Sequence, residues 1–187
     1  MCVKAEEQVA TDSLGQSGLN DKATEGVALL INKSYLFNEV HLNTLLQVVA
    51  ARVTLNKVVT FCSIYLPSSD HVAKTDLINI IKQLSSPFVL LGDFKSHSPV
   101  WGKVSYNSRA QMLEDLFSEM DFCILNDGSA TYIHPATGST SALDLSICGP
   151  SLVLDHEWNI HEDLCGSYHF PVILTSNAVE EDAAPNR

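Results

Sequence analysis

Apolar residues in this chain fall mostly into short runs of strand length, separated by small polar clusters. Gly26-Val27-Ala28-Leu29-Leu30-Ile31 reads as a buried strand. Gln47 to Leu55 and Val58 to Tyr65 are β-rich runs, and Asn56-Lys57 between them suits a two-residue hairpin turn. Phe88-Val89-Leu90-Leu91 is an uninterrupted apolar run that stops at Gly92-Asp93, as a central strand does at its end. Phe122 to Leu125, Ala130 to Ile133, Ala142 to Ile147, Glu157 to His161 and Phe170 to Leu174 complete the strand candidates.

The period changes in two places. From about Val72 to Leu84, the apolar residues Leu77, Ile80, Ile81 and Leu84 share one helical stripe, and Ser85-Ser86-Pro87 stops the helix. Asn107 is a suitable N-cap for a second helix that runs to Met120 with Leu113, Leu116, Phe117 and Met120 facing inward. Many strands and few helices predict an α/β sandwich, and the hairpin signals favour antiparallel or mixed sheets over a doubly wound parallel one. Residues 1–25 read as a loose leader, 26–176 as the folded domain, and 177–187 as a disordered acidic tail.

With 187 residues, 45% of them apolar, the chain suits one domain with a substantial core. No apolar run reaches the ~20 residues that span a bilayer, and Met1 to Lys22 is polar, without the apolar stretch of a secretory signal. The five cysteines include no Cys-x-x-Cys pair, which argues against a zinc ribbon, and their odd number without a secretion signal argues for reduced thiols inside a cell. A net charge of −11 argues against tight, sequence-independent binding of nucleic acid, yet leaves it open as a substrate.

Polar groups at the ends of adjacent strands are where α/β proteins place chemistry. Asp93 is the leading candidate, as a metal ligand or a holder of a nucleophilic water, and its plain alternative is a turn aspartate. His169, in Gly166-Ser167-Tyr168-His169-Phe170-Pro171, is a general base, a stabiliser of phosphate charge, or simply a hydrogen-bonded loop histidine. Asp144 lies inside an alternating strand, where a carboxylate needs a partner unless it faces solvent. Tyr65 ends its strand and either meets a phosphate oxygen or packs. Trp101, in the long loop after Asp93, stacks on a base or anchors the loop. Arg109, at the start of the second helix, contacts phosphate or stays solvated.

Taken in order, six segments resemble the endonuclease domain of non-LTR (LINE-type, jockey-like) retrotransposons, within the endonuclease/exonuclease/phosphatase superfamily of DNase-I-like fold. They are Gly26 to Ile31; Cys62-Ser63-Ile64-Tyr65-Leu66-Pro67; Leu91-Gly92-Asp93-Phe94 with His97-Ser98-Pro99-Val100-Trp101-Gly102; Leu125-Asn126-Asp127-Gly128 with Thr131-Tyr132; Ser141-Ala142-Leu143-Asp144-Leu145; and Gly166 to Pro171. The resemblance implies a four-layer fold, two packed sheets flanked by helices. It also implies a magnesium-dependent nick in DNA that primes reverse transcription, with DNA as substrate, a reverse transcriptase domain in a longer parent polypeptide, and work in the nucleus. By the same analogy Tyr65 contacts the scissile phosphate, Asp93 binds metal and positions water or leaving group, Asp144 orients His169, and His169 stabilises the transition state.

The chain also departs from that pattern. The family's Gly-Asp-Phe-Asn ends here in Lys95, which exchanges a two-way amide for a cation able to hold phosphate but hostile to metal. The family's Ser-Asp-His is here Ser167-Tyr168-His169, with a phenol in place of a carboxylate. No Gln-Glu-Thr-like segment with a metal-binding glutamate precedes Gly26. The expectation is therefore an N-terminally truncated, degenerate copy with little or no nicking activity. A non-catalytic binding remnant and a phosphoesterase of the same superfamily stand as alternatives.

Overall fold

The structure, a computed structural model, describes residues 26–68, 71–102 and 105–176. The leader and tail expected at 1–25 and 177–187 lie outside these residues. Among the described residues, ten strands and three α-helices follow one another: β1 (Phe37–Val40), β2 (Gln47–Thr54), β3 (Val58–Tyr65), α1 (Lys74–Gln83), β4 (Phe88–Asp93), α2 (Ser108–Glu119), β5 (Cys123–Ile124), β6 (Tyr132–Ile133), β7 (Thr140–Ser141), β8 (Asp144–Cys148), α3 (Pro150–Val153), β9 (His156–Ile160) and β10 (Val172–Ser176).

Six strands form one mixed sheet in the order β1-β2-β3-β4-β8-β5. Only the β3–β4 pairing is parallel, and α1 makes that crossover. The remaining strands form two pairs, β9–β10 and β6–β7. The α/β class and the mixed sheet agree with the strand-rich, hairpin-rich sequence.

Alternation along the strands divides the sheet into two faces. Cys62 and Ile64 of β3, Phe88 and Leu90 of β4, and Leu145 and Ile147 of β8 face the helices and join Leu77, Ile80 and Ile81 of α1 and Leu113, Leu116 and Phe117 of α2 in the main core. Val59, Val89 and Cys148 face the other way, with Phe61, Leu91 and Leu174 of β10 packed against them. Strand β9 docks on this second face through Trp158, whose indole N–H donates to Ser146 Oγ of β8 at 3.1 Å. The two larger helices thus cover one face of the main sheet, and the β9–β10 pair covers part of the other.

The second helix begins where its sequence says it should. Asn107 Oδ1 accepts from the Ala110 N–H at 2.9 Å, which satisfies one of the donors a helix start leaves open. In α1, Asp76 reaches back to the Ala73 N–H.

Two expectations need correction, and one strand was not expected. Gly26 to Ile31 is not a strand. Val27, Leu29 and Ile31 are half-buried in alternation, so the period-2 signal is real, but the segment pairs with no neighbouring strand among the described residues. The first hairpin closes with three residues, since Thr54 pairs with Val58 and Leu55 N–H donates to the Lys57 carbonyl. Strand β1, too short and too polar to carry a strand signal, escapes a reading by hydrophobic runs and forms because it pairs with β2.

Candidate active site

Sheet register builds the site. Tyr65 lies opposite Asp93 across the β3–β4 pairing, and Asp93 lies opposite Asp144 across β4–β8. By strand alternation all three leave the sheet on the face away from α1 and α2. Gly92 makes the strand end possible: its φ is +148°, and a Cβ there would stand 1.8 Å from the Ile64 carbonyl oxygen.

His169 arrives from outside the main sheet, held by the β6–β7 hairpin. It forms an isolated antiparallel bridge with Tyr132, flanked by hydrogen bonds from Ile133 N–H to the Tyr168 carbonyl and from Phe170 N–H to the Thr131 carbonyl. Its ring packs against Tyr132, with centroids 4.8 Å apart. His169 Nδ1 donates to Asp144 Oδ2 at 2.8 Å, which turns Nε2 toward Asp93 Oδ2, 3.9 Å away.

Thr131 ties the parts together. Its buried hydroxyl accepts from the backbone N–H groups of Leu143 and Asp144, both at 3.0 Å. One residue therefore fixes the start of β8, and so Asp144, while its carbonyl holds the chain beside His169. Asn126 continues the β5–β8 ladder with a side chain: its amide donates to the Asp144 carbonyl, and its oxygen accepts from Ser146 N–H. Both residues lie in segments that carry the family resemblance, yet neither residue type signals a positioning role from sequence.

Lys95, two residues past Asp93, is in a left-handed backbone conformation, φ +47°. Its backbone N–H donates to Asp93 Oδ1 at 3.0 Å, and its ammonium is 2.6 Å from Asp93 Oδ2. Asn107 holds the same loop, donating to the Lys95 carbonyl and accepting from His97 N–H as well as capping α2. The Lys95 ammonium also lies 6.0 Å from the Tyr65 ring centroid and 5.5 Å from that of Tyr132.

The electrostatics follow from this crowding. Burial raises the Asp93 carboxyl above the usual carboxylate range; Asp144 adds to the rise and Lys95 opposes it. The hydrogen bond to Asp144 raises His169, against partial burial that works the other way.

Two expected ligand contacts are spent on the fold instead. Trp101 is 0% exposed, and its indole N–H donates to the Ser96 carbonyl, so the ring anchors its loop and offers no face to a base. Arg109 donates to the carbonyls of Leu66, Pro67 and Phe94, where it ties the ends of β3 and β4 to α2 rather than standing solvated. Tyr168 is exposed.

Asp93, Asp144 and His169 each offer a ligand atom within 4.8 Å of one another, close enough for a shared ion. The chemistry of the set is less favourable. Mg²⁺ takes carboxylate oxygens at about 2.0–2.1 Å. On Asp93 Oδ2, which already faces an ammonium at 2.6 Å, the ion and Lys95 Nζ would lie no more than about 4.7 Å apart. Their repulsion is on the order of 7 kcal/mol at an effective dielectric of about 20. Asp144 Oδ2 is occupied by His169 Nδ1. As arranged, these residues do not fit a resident divalent cation.

Comparison with known structures places the fold. The endonuclease domain of TRAS1, a telomere-specific non-LTR retrotransposon, superposes with a TM-score of 0.70 at 17% identity, covering 81% of this chain and 73% of that one. The 3′ phosphatase NExo from Neisseria, solved with a product DNA hairpin, gives 0.52 at 15% identity, covering 70% of this chain and 65% of its own. The catalytic domain of Xenopus laevis APE2 gives 0.52 at 18%, covering 68% and 55%. At these identities the likeness is one of fold, the DNase-I-like one. A search of curated proteins finds no match. The family model for endonuclease-reverse transcriptase matches residues 59–173, from the start of β3 into β10. That span covers more than half of the chain and every residue of the site, and the chain belongs to the endonuclease-reverse transcriptase family, within the endonuclease/exonuclease/phosphatase superfamily.

Proposed function

We propose that this chain carries the phosphodiester site of a retrotransposon DNA-nicking domain in a reduced form, one that engages DNA and cleaves it weakly or not at all. The observation that supports it is the line Asp144–His169–Asp93, with Tyr65 in register beside Asp93. In this reading Asp144 holds His169 with Nε2 facing the reacting phosphate, and the imidazolium opposes charge that develops there. Asp93 positions the attacking water or the leaving oxygen, and Tyr65 meets a phosphate oxygen. Magnesium, which the family resemblance implies, has no step here, because the donor set does not suit it. The reverse transcriptase of the family description suggests a longer parent polypeptide and work at chromosomal DNA in the nucleus.

Lys95 and Tyr168 support the loss of activity. Each replaces a group that the related domains use at the cation, and removing one preorganised polar group typically costs ~10²–10³ in rate. The Lys95–Asp93 ion pair also favours a second reading, a non-catalytic remnant that only binds, because it occupies the carboxylate a nuclease needs.

Relaxation of supercoiled plasmid separates the two. A slow nick, measured with and without magnesium, that disappears in Asp93→Ala and in His169→Ala supports a surviving nuclease. Duplex binding without any nick supports the remnant. Cleavage that persists unchanged in both variants, or the absence of both cleavage and duplex binding, removes the proposal.

A further inference from the structure

We propose that Lys95 is the site's built-in cation, its ammonium standing on Asp93 in the place of a divalent ion, so that the site holds a phosphodiester without metal. The inference rests on the phosphodiester reading above and deepens it.

Three features carry it. First, the Lys95 ammonium stands 2.6 Å from Asp93 Oδ2. The backbone N–H of residue 95 holds Asp93 Oδ1 in an Asx turn that any residue but proline could make, so the ammonium contact is what lysine adds. Second, the ammonium is placed. Its side chain is only 22% exposed, and the rings of Tyr65 and Tyr132 flank it at distances where a cation is attracted to a π-face. Third, the backbone at Lys95 is left-handed, a conformation most L residues adopt at a cost, and Asn107 holds the turn by its carbonyl. The loop aims residue 95 at Asp93.

The chemistry matches. An ammonium has three N–H bonds, and one spent on Asp93 leaves two for phosphate oxygens. It carries the charge that makes a phosphodiester tolerable beside two carboxylates, and His169 Nε2 lies 3.9 Å from the same Asp93 oxygen. A tethered monocation does less than a hydrated dication to polarise a phosphate. The exchange therefore retains anion binding while cleavage fades.

Mn²⁺ titration of the full chain, followed by the electron paramagnetic resonance signal of the free ion, tests this without DNA. The wild type is expected to show no Asp93-dependent binding up to millimolar Mn²⁺, with Asp93→Asn superposing on it. Lys95→Met, which keeps the stem, and Lys95→Asn, which suits the left-handed backbone, are expected to bind at least tenfold more tightly. The gain should vanish when Asp93→Asn is added, and Lys95→Arg should behave as wild type. In a parallel assay with chelator present, the wild type is expected to bind a short duplex, and Lys95→Met to bind it at least tenfold less well. Submillimolar Mn²⁺ binding by the wild type that Asp93→Asn abolishes would overturn the proposal, as would folded Lys95 variants without a gain. A wild type that binds no duplex under any condition instead removes the phosphodiester reading, whatever the metal titration shows.

Discussion

Asp93 and Asp144 stand opposite each other in register on adjacent strands, and each has its own partner: the Lys95 ammonium on the first, the His169 imidazole N–H on the second. Two carboxylates this close raise each other's affinity for protons unless each is compensated. These two partners resolve that conflict, and the histidine makes the site's stability depend on pH.

The sign of that dependence is fixed by the direction of the shift at His169. The hydrogen bond to Asp144 raises its folded pKa above the ordinary histidine value near 6.5. The stabilisation is therefore fully present below that unfolded value and is lost as pH rises through the folded one. Asp93, raised by burial, works in the same direction at its own lower range, because its ionisation in the folded state is the costly step. The melting temperature of the wild type is expected to exceed that of His169→Gln most below about pH 6.5, with the gap closing above it. The imidazole proton resonance should titrate above the ordinary value and return toward it in Asp144→Asn. A gap that widens with rising pH would contradict the arrangement.

Thr131 offers a sharper test of how the site is held. Its hydroxyl is the acceptor for two backbone N–H groups, and Thr131→Val keeps the shape but strands both donors in a buried place. An unsatisfied buried donor costs about 1–3 kcal/mol. At about 2–4 °C per kcal/mol for a chain of this size, the melting temperature should fall by several degrees at least. Thr131→Ser retains the acceptor and should lose much less. Because the residue also steadies the segment around His169, the valine variant should broaden the His169 resonance, which a distant core mutation would leave sharp.

Trp101 and Arg109 should reveal themselves as structural residues. Trp101→Ala empties a fully buried site, and such truncations cost about 3–5 kcal/mol. Arg109→Met removes charge-assisted bonds to three carbonyls, each worth about 1.5–3 kcal/mol. Denaturant unfolding measures both losses. At temperatures where Arg109→Met remains folded, its affinity for a duplex should match the wild type, whereas a phosphate-contacting arginine would weaken binding and flatten its salt dependence.

The sequence makes the site's framework legible where chemistry and strand ends coincide. An apolar run ending in Gly92-Asp93, and a histidine between a small turn and another apolar run, point to one cleft, and the two side chains do converge. The helix over Ser108–Glu119 is equally readable, because Asn107 and the Leu113–Phe117 stripe signal locally. What stays hidden depends on partners distant in sequence. Arg109 looks like any basic residue at a helix start until β3 and β4 bring their carbonyls to it. Thr131 is one threonine among many until β8 passes its hydroxyl. Gly26 to Ile31 shows the opposite failure: alternation is a burial signal, and a strand also needs a neighbour to pair with.

The loss of activity proposed above is open to a test by reversal at Lys95 and Tyr168. Lys95→Asn removes the cation from Asp93 and suits the left-handed backbone, which asparagine tolerates better than lysine. Tyr168→Asp places a carboxylate next to His169 on an exposed position, so it should cost the fold little. If these two positions are where a cation site was lost, the double variant should gain magnesium-dependent plasmid nicking of at least about 10²-fold over the wild type, within the range a single preorganised group supplies. The gain should exceed the product of the single variants, because ligands of one ion act as a unit. It should disappear with His169→Ala added. A double variant that binds divalent ions yet nicks no faster would show that the site lacks more than these two groups, and would favour the binding remnant over the weakened nuclease.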